Sequence, residues 1–341
     1  MIARMLIGAA AAAAILVAAP TAPSAADPVV IKYGTHAPPG GTTTVEGILP
    51  WMRAIERDSG GAVKFQEFWG GQLIRTPEKQ YEAMLNGIQD ASAIVTSATE
   101  KLFPDFGIFT LPLMFRGTGS IEASVAGWRV HEKGLIGGLD KVYVAAVYAN
   151  DNGTLHLTRA IKSVDDVKGL KIRAAGPGEA EVIKLMGGVP VGMGIPQVAE
   201  SLNRGVIDGA LTSWGALGLF RIAPLIKTHV DLPLGVRAFF LGIARKKFDE
   251  LPGQAQDAIK RNSGLALSRK LGTGFEHDGL KVRREAEGNP NKGIVAPTPA
   301  QYRDIAAKVK PLHDAWVKEE PGRAKLYDEM QRVLAEMRGG S

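Results

Sequence analysis

Short apolar runs alternate with segments of helical period along most of the chain. Val29 to Gly34 reads as a buried strand, followed by the loop Thr35-His36-Ala37-Pro38-Pro39-Gly40-Gly41 and a helix from about Thr43. Ile48, Met52 and Ile55 fall on one face of that helix at i, i+4, i+7. Asp58-Ser59-Gly60-Gly61 stops it. Val63 to Phe68 forms a second strand ending at Trp69-Gly70-Gly71. Tyr81, Met84, Leu85 and Ile88 mark the next helix, and Ala91 to Val95 the next strand. The rhythm predicts a sheet with parallel neighbours, covered by helices.

From Arg159 to Trp214 the pattern reads strand, loop, helix, strand, helix, strand. Leu85-Asn86-Gly87-Ile88-Gln89-Asp90-Ala91 is similar to Leu202-Asn203-Arg204-Gly205-Val206-Ile207-Asp208-Gly209, with one extra residue in the second copy. Chance is the alternative for so short a match. Read physically, it suggests two lobes of like construction with a cleft between the carboxyl ends of their strands. Pro252 to Gly288 has helical composition over roughly 36 residues, about 50 Å at 1.5 Å per residue, enough to span both lobes. Gly264, Gly272, Gly274 and Gly279 should loosen it, and the alternative is two helices broken near Gly272–Gly274. Two further helices, near Pro299–Glu319 and Pro321–Arg338, close the chain.

Arg173 is the candidate that chemistry singles out. It closes the run Lys171-Ile172-Arg173, before Ala174-Ala175-Gly176-Pro177-Gly178 interrupts the chain and a helix begins near Glu179. Ligands of open α/β sheets sit beyond the carboxyl ends of the strands, and a guanidinium presents a rigid donor fork that matches a carboxylate. The other reading of Arg173 is an ordinary surface salt bridge. Arg159, in the loop before Ser163-Val164-Asp165, reads as a second candidate or as a solvated charge. Thr212-Ser213-Trp214 follows the strand that begins near Val206; two hydroxyls and an indole suit a ligand with oxygens and an apolar body. A packed tryptophan beside a turn is the alternative there.

Residues 1–26 read as a signal peptide. Arg4 supplies the positive start, Met5 to Ala19 an apolar run, and Ser24-Ala25-Ala26 a small-residue end before Asp27. Two prolines and a core shorter than the roughly 20 residues of a spanning helix argue against a membrane anchor. The remainder is long enough for two lobes. It contains no cysteine, so an exported chain of this kind must depend on a large apolar core, which 45% hydrophobic residues can supply. The net charge of +6 is scattered. Arg245-Lys246-Lys247 and Arg283-Arg284 lack interleaved aromatics, so there is no nucleic-acid footprint.

Catalytic signals are missing. None of the six histidines stands four residues from another, and HExxH, CxxC and GxSxG are absent, so no metal, cofactor or nucleophile is expected. Gly176-Pro177-Gly178 and Gly192-Met193-Gly194 do not extend to a phosphate-binding fingerprint. Asp165-Asp166 reads as a turn cap rather than a catalytic pair. A binding protein is the better reading than an enzyme.

At Gly70-Gly71-Gln72-Leu73, Leu111-Pro112-Leu113-Met114-Phe115, Thr158-Arg159, Ser163 to Arg173 and Gly205-Val206-Ile207-Asp208-Gly209, the chain resembles the extracytoplasmic solute-binding proteins of tripartite ATP-independent periplasmic (TRAP) transporters, the DctP-type family. The resemblance covers essentially the whole chain after the leader. It implies a two-lobed α/β fold, like that of periplasmic binding proteins, with mixed sheets flanked by helices, hinge strands and a helix over both lobes. Expected limits are 27–153 with 238–277 for one lobe, and 154–237 with 278–341 for the other. It also implies that Arg173 pairs with a ligand carboxylate and that Arg159 is a second polar contact. His36, Trp69, Thr96 and Ser97 would face them from the first lobe. Ala160, Leu211 and Thr212 stand where the family often has proline, a polar residue and asparagine. Trp69 and Trp214 would suit an aromatic or otherwise bulky acid. The implied partners are a small organic acid and the small and large membrane subunits of a permease, and the implied location is the periplasm. An exported sensory module and a periplasmic enzyme acting on a small acid are the rival readings.

Overall fold

The computed structural model describes residues 27–339; the expected signal peptide lies outside the described residues. The chain lays down β1 (Val29–Gly34), α1 (Leu49–Asp58), β2 (Val63–Phe68), α2 (Gln80–Leu85) and β3 (Ala91–Val95), then α3 (Ser120–Glu132) and β4 (Val142–Ala149). It next builds β5 (Gly153–Leu157), β6 (Lys171–Ala174), α4 (Pro177–Leu185), β7 (Val189–Gly192), α5 (Val198–Asn203), β8 (Gly209–Ser213), α6 (Trp214–Leu219) and β9 (Thr228–Val230). It returns with β10 (Ala238–Ala244), α7 (Arg245–Glu250), α8 (Gly253–Arg261) and α9 (Leu265–Glu287). It closes with β11 (Gly293–Val295), α10 (Pro299–Glu319) and α11 (Arg323–Met337).

Two sheets result, ordered β2-β1-β3-β10-β4 and β11-β9-β5-β8-β6-β7. β2 and β3 flank β1 in parallel, as the sequence rhythm predicts, whereas β10 enters antiparallel between β3 and β4. Edge strand β2 keeps an alternation of buried Val63 and Phe65 with exposed Lys64 and Gln66. Interior strand β3 is buried at every position, because helices cover both faces of the sheet. On one face Ile31, Met52, Ile55 and Leu271 form a core under α1 and α9. On the other, Phe103, Phe106, Phe109 and Phe240 pack with Leu326, Met330 and Val333 of α11. Each such fully buried side chain contributes about 1.5–3 kcal/mol.

Two sequence expectations need correction. The 252–288 segment is not one helix, nor is it broken at Gly272–Gly274: α8 ends at Arg261 and α9 starts at Leu265. Gly264 makes the break with φ of 102°, a backbone state that side-chain-bearing residues rarely adopt. Gly272, Gly274 and Gly279 lie inside α9, where they permit close approach; a Cβ on Gly274 would stand 2.6 Å from the Cα of Thr43. The second correction concerns the end of the chain. The expected limits put all of 278–341 with the second lobe, yet α11 buries its apolar face in the first sheet's core, while the end of α9, β11 and α10 pack with the second sheet.

The chain passes between the sheets at Asn150-Asp151-Asn152 and back at Gly235-Val236-Arg237. These two passes bond to each other: Asn150 N–H donates to the Arg237 carbonyl (3.0 Å) and Arg237 N–H to Asn150 Oδ1 (2.8 Å). α9 makes the third connection, from Leu267 and Leu271 in the first sheet's core to Val282 and Ala286 in the second's. It passes over Asp151, where a Cβ on Gly279 would stand 2.7 Å from Asp151 Oδ2. Asp151 accepts from the backbone N–H of Trp214 (2.7 Å), and burial pushes its carboxyl up to about 7.

Candidate functional site

A cavity of about 130 Å³ lies between the two sheets. Its walls come from the ends of strands: Thr35 and His36 follow β1, Trp69 follows β2, Ser97 follows β3, Arg173 and Ala175 stand at the end of β6, and Thr212 and Ser213 close β8. This is where an open α/β sheet leaves room for a ligand. The lips meet across it. A Cβ on Gly176 would stand 3.1 Å from the Ser97 carbonyl oxygen, and Asp278 accepts from Thr42 N–H at 2.9 Å.

Six of the nine predicted site residues line this cavity: His36, Trp69, Ser97, Arg173, Thr212 and Ser213. The other three do not. Thr96 turns its hydroxyl to the Ala238 carbonyl at 2.8 Å. Arg159 is half exposed and pairs with Asp208 at 2.7 Å, which is the solvated-charge reading. Trp214 is buried behind the wall, stacked on His229 at 4.3 Å with its ring edge-on to His156.

That layer behind the wall has a defined proton arrangement. His156 Nε2 lies 3.1 Å from the Thr212 carbonyl, which can only accept, so Nε2 carries the proton and Nδ1 accepts. His229 Nδ1, 2.7 Å away, is then the donor. Burial holds both rings neutral, His156 well below the usual histidine range and His229 lowered to about 3. The pair fixes the Thr212 carbonyl beneath the cavity.

Arg173 is 3% exposed. Its Nε donates to the Met193 carbonyl (2.9 Å) and its Nη1 to the Leu211 carbonyl (3.3 Å). Burial, then the nearby Arg237 charge, lowers its pKa to about 10, so the guanidinium remains charged at neutral pH. The nearest carboxylate, Glu179, stands 4.0 Å away and makes its short contact, 2.6 Å, with Arg237.

Arg237 was missed from sequence. It also lines the cavity, with Nη2 donating to the Leu211 carbonyl (3.1 Å) and Nη1 to Thr212 Oγ1 (3.4 Å). It precedes β10 rather than ending a strand, so the strand-end rule passes over it. A lone charge inside Gly235-Val236-Arg237-Ala238-Phe239 was the available signal. The aromatic wall was also missed in part. Phe239 stacks with Tyr148 and with Phe275, each at 5.3 Å, and Tyr33 lies 5.2 Å from Trp69.

Four buried polar atoms of cavity-lining residues have no hydrogen-bond partner among the described residues: Tyr33 Oη, His36 Nδ1, Ser97 Oγ and Arg237 Nε. Buried polar groups are rarely left so. Burial raises the Tyr33 hydroxyl pKa and lowers that of His36 to about 4, so both are uncharged at neutral pH. Among the described residues no cluster of His, Cys, Asp or Glu could hold a metal ion.

Residues 34–320 match the family model for bacterial extracellular solute-binding protein, family 7. The chain belongs to this DctP family. A curated member, the C4-dicarboxylate-binding periplasmic protein DctP of Rhodobacter capsulatus, is 22% identical over 92% of this chain and 94% of its own. A marine metagenome TRAP solute-binding protein specific for aromatic acid ligands, solved with 3-hydroxybenzoate, superimposes with a TM-score of 0.83 at 24% identity. The match covers 91% of this chain and 99% of that one. A TRAP solute-binding protein from Rhodoferax ferrireducens, solved with copurified benzoate, gives 0.82 at 25% identity over 91% and 99%. The two-lobed α/β fold expected from the sequence is the fold of these DctP-family structures. The family is one of solute-binding receptors, which agrees with the absence of catalytic motifs from the sequence.

Proposed function

We propose that this DctP-family protein captures a small monocarboxylate with a ring-sized apolar body and delivers it to the small and large membrane subunits of a TRAP permease. The observation that carries this reading is the set of four buried polar atoms, one of them Arg237 Nε, that have no partner among the described residues and belong to the wall of one cavity with Arg173. A carboxylate can accept from the guanidinium forks while a ligand hydroxyl or carbonyl meets Tyr33, His36 or Ser97. A charge-assisted hydrogen bond of this kind contributes about 1.5–3 kcal/mol.

Size and charge narrow the ligand. An apolar cavity of about 150 Å³ holds benzene, so 130 Å³ fits a single ring or a chain of similar bulk. Tyr148, Phe239 and Phe275 give that body an apolar surface. The other charged residues on the wall, Asp278 and Glu78, are acidic and repel a second carboxylate. Two relatives in the family bind aromatic acids or benzoate, while another is named for C4-dicarboxylates. The charge of this wall favours the former class.

The lobes would close on the ligand, with limits near 27–153 and 238–277 for one and 154–237 and 278–319 for the other, α11 being docked on the first. Closure requires contacts that exist only when both lobes touch the ligand. Arg173 and Arg237 on one side and Tyr33, His36 and Ser97 on the other supply them. The signal peptide would place the mature chain in the periplasm. Thermal-shift screening of mono-, di-, keto- and aromatic acids, followed by calorimetry, tests the reading. Stabilisation by benzoate-like monoacids is expected; no response to any carboxylate, or turnover of one, would overturn it.

A further inference from the structure

The two arginines of the cavity are not equivalent, because one of them already holds a carboxylate. Glu179 is 5% exposed, in the first turn of α4. Its Oε1 lies 2.6 Å from Arg237 Nη2, and its Oε2 accepts from Ala175 N–H at 2.7 Å. Both contacts fix its head: one on the arginine and one on the backbone of the cavity lip. Arg173 stands 4.0 Å from the same carboxylate, beyond hydrogen-bond reach, and its Nη2 has no hydrogen-bond partner among the described residues. At this end of the cavity two positive charges therefore face one built-in negative charge, leaving a single positive charge for a ligand.

We infer that Glu179, by offsetting one of the two arginine charges, is a specificity-determining residue that restricts this end of the cavity to one ligand carboxylate. The inference rests on the carboxylate-binding reading above and extends it. Glu179 takes up the charge of Arg237 that a second carboxylate of the ligand would otherwise meet. A dicarboxylate brings two negative charges to an end that can neutralise one, and close like charges in a poorly hydrated site strongly oppose binding. Glu179 does not itself line the cavity, so its effect appears as selectivity rather than as a lost ligand contact.

The test compares acids that differ by one carboxylate: benzoate with phthalate, and propanoate with malonate. Affinities are measured by calorimetry on the wild-type chain, Glu179→Gln and the double variant Glu179→Gln/Arg237→Gln. Glu179→Gln keeps a hydrogen-bond acceptor and frees one positive charge. It should move the dicarboxylate-to-monocarboxylate affinity ratio at least about tenfold toward the dicarboxylate in one of the two pairs. The double variant removes one charge of each sign and should return the ratio to within about threefold of wild type. Should Glu179→Gln not fold, Arg237→Gln against the double variant reads the same charge. Retaining Glu179 on that background should lower the ratio at least about tenfold. A folded Glu179→Gln protein with an unchanged ratio in both pairs overturns the inference, and so does a double variant that keeps the shifted ratio. A wild-type chain that binds none of the four acids overturns the ligand reading as well, which separates the two failures.

Discussion

Arg173 and Arg237 donate to the same carbonyl oxygen, that of Leu211, at 3.3 and 3.1 Å. One arginine ends β6 and the other precedes β10, so the carbonyl ties together two segments 64 positions apart in sequence. It also holds two like charges close to one another, and that repulsion adds to burial, the larger cause, in lowering the pKa of Arg173. An anionic ligand relieves that repulsion.

Arg173→Ala is therefore expected to weaken carboxylate binding at least about tenfold, the equivalent of about 1.4 kcal/mol. Arg173→Lys should also weaken it, since an ammonium cannot reproduce the fork that reaches Met193, Leu211 and the cavity together. Calorimetry on the two variants decides the matter, and an unchanged affinity in Arg173→Ala removes this arginine from the site.

Arg159→Ala should behave differently. Its partner is Asp208 at an exposed position, and such pairs contribute about 0–1 kcal/mol to stability. Ligand affinity is expected to stay within about twofold of wild type. A tenfold loss would show that Arg159 reaches the ligand in another arrangement of the lobes.

The His156–His229 pair makes the fold sensitive to acid. Both are held neutral in the folded chain, His229 at about 3 against 6.5 when free, so unfolding allows a proton to bind. Their contribution is present above pH 6.5 and declines as pH falls from there toward 3. The unfolding midpoint, followed by tryptophan fluorescence, should drop across that window, and more gently in His156→Phe/His229→Phe. Equal slopes in the two proteins would remove the pair as the cause.

Asp151 acts with the opposite sign. Its carboxyl titrates near 7 in the folded chain and 3.8 as a free group, so the contribution of the protonated form is complete below 3.8 and lost as pH rises through 7. Asp151→Asn keeps an acceptor for Trp214 N–H while removing the charge. The variant should lose the part of the stability decline that occurs between pH 4 and 7. An unaltered pH profile would contradict a buried titrating group at the crossing.

Gly274→Ala should destabilise the fold by about 1–3 kcal/mol, because the new Cβ would meet the backbone of Thr43 at 2.6 Å and backbone yields poorly. On an open helix face the same change would stabilise by about 1 kcal/mol. Denaturant unfolding distinguishes the signs.

Local pattern carried much of this architecture. β1, β2 and β3 occupy the runs that the apolar pattern marks, and Arg173 stands where a strand-end rule would place an anion's partner. Pattern failed where meaning depends on what lies opposite. The glycines of α9 read as breakers, yet three of them serve contacts with Ser124, Thr43 and Asp151. Thr96, Ser97 and Trp214 all follow strand ends, and sequence alone cannot say which side chain turns inward and which turns to a carbonyl or a histidine ring. The lone charge of Arg237 was the only hint it offered, because its position depends on a pairing between Asn150 and a segment far along the chain.

The place of β10 has a consequence for how the molecule comes into being. Between β3 and β4 the first sheet has a vacant slot until residues 238–244, some way further along the chain, arrive to fill it. Until then two unpaired edges face each other and invite foreign strands. Fragments ending anywhere from 150 to 237 should therefore clump rather than fold, and genetic dissection of this chain has to carry that late ribbon along.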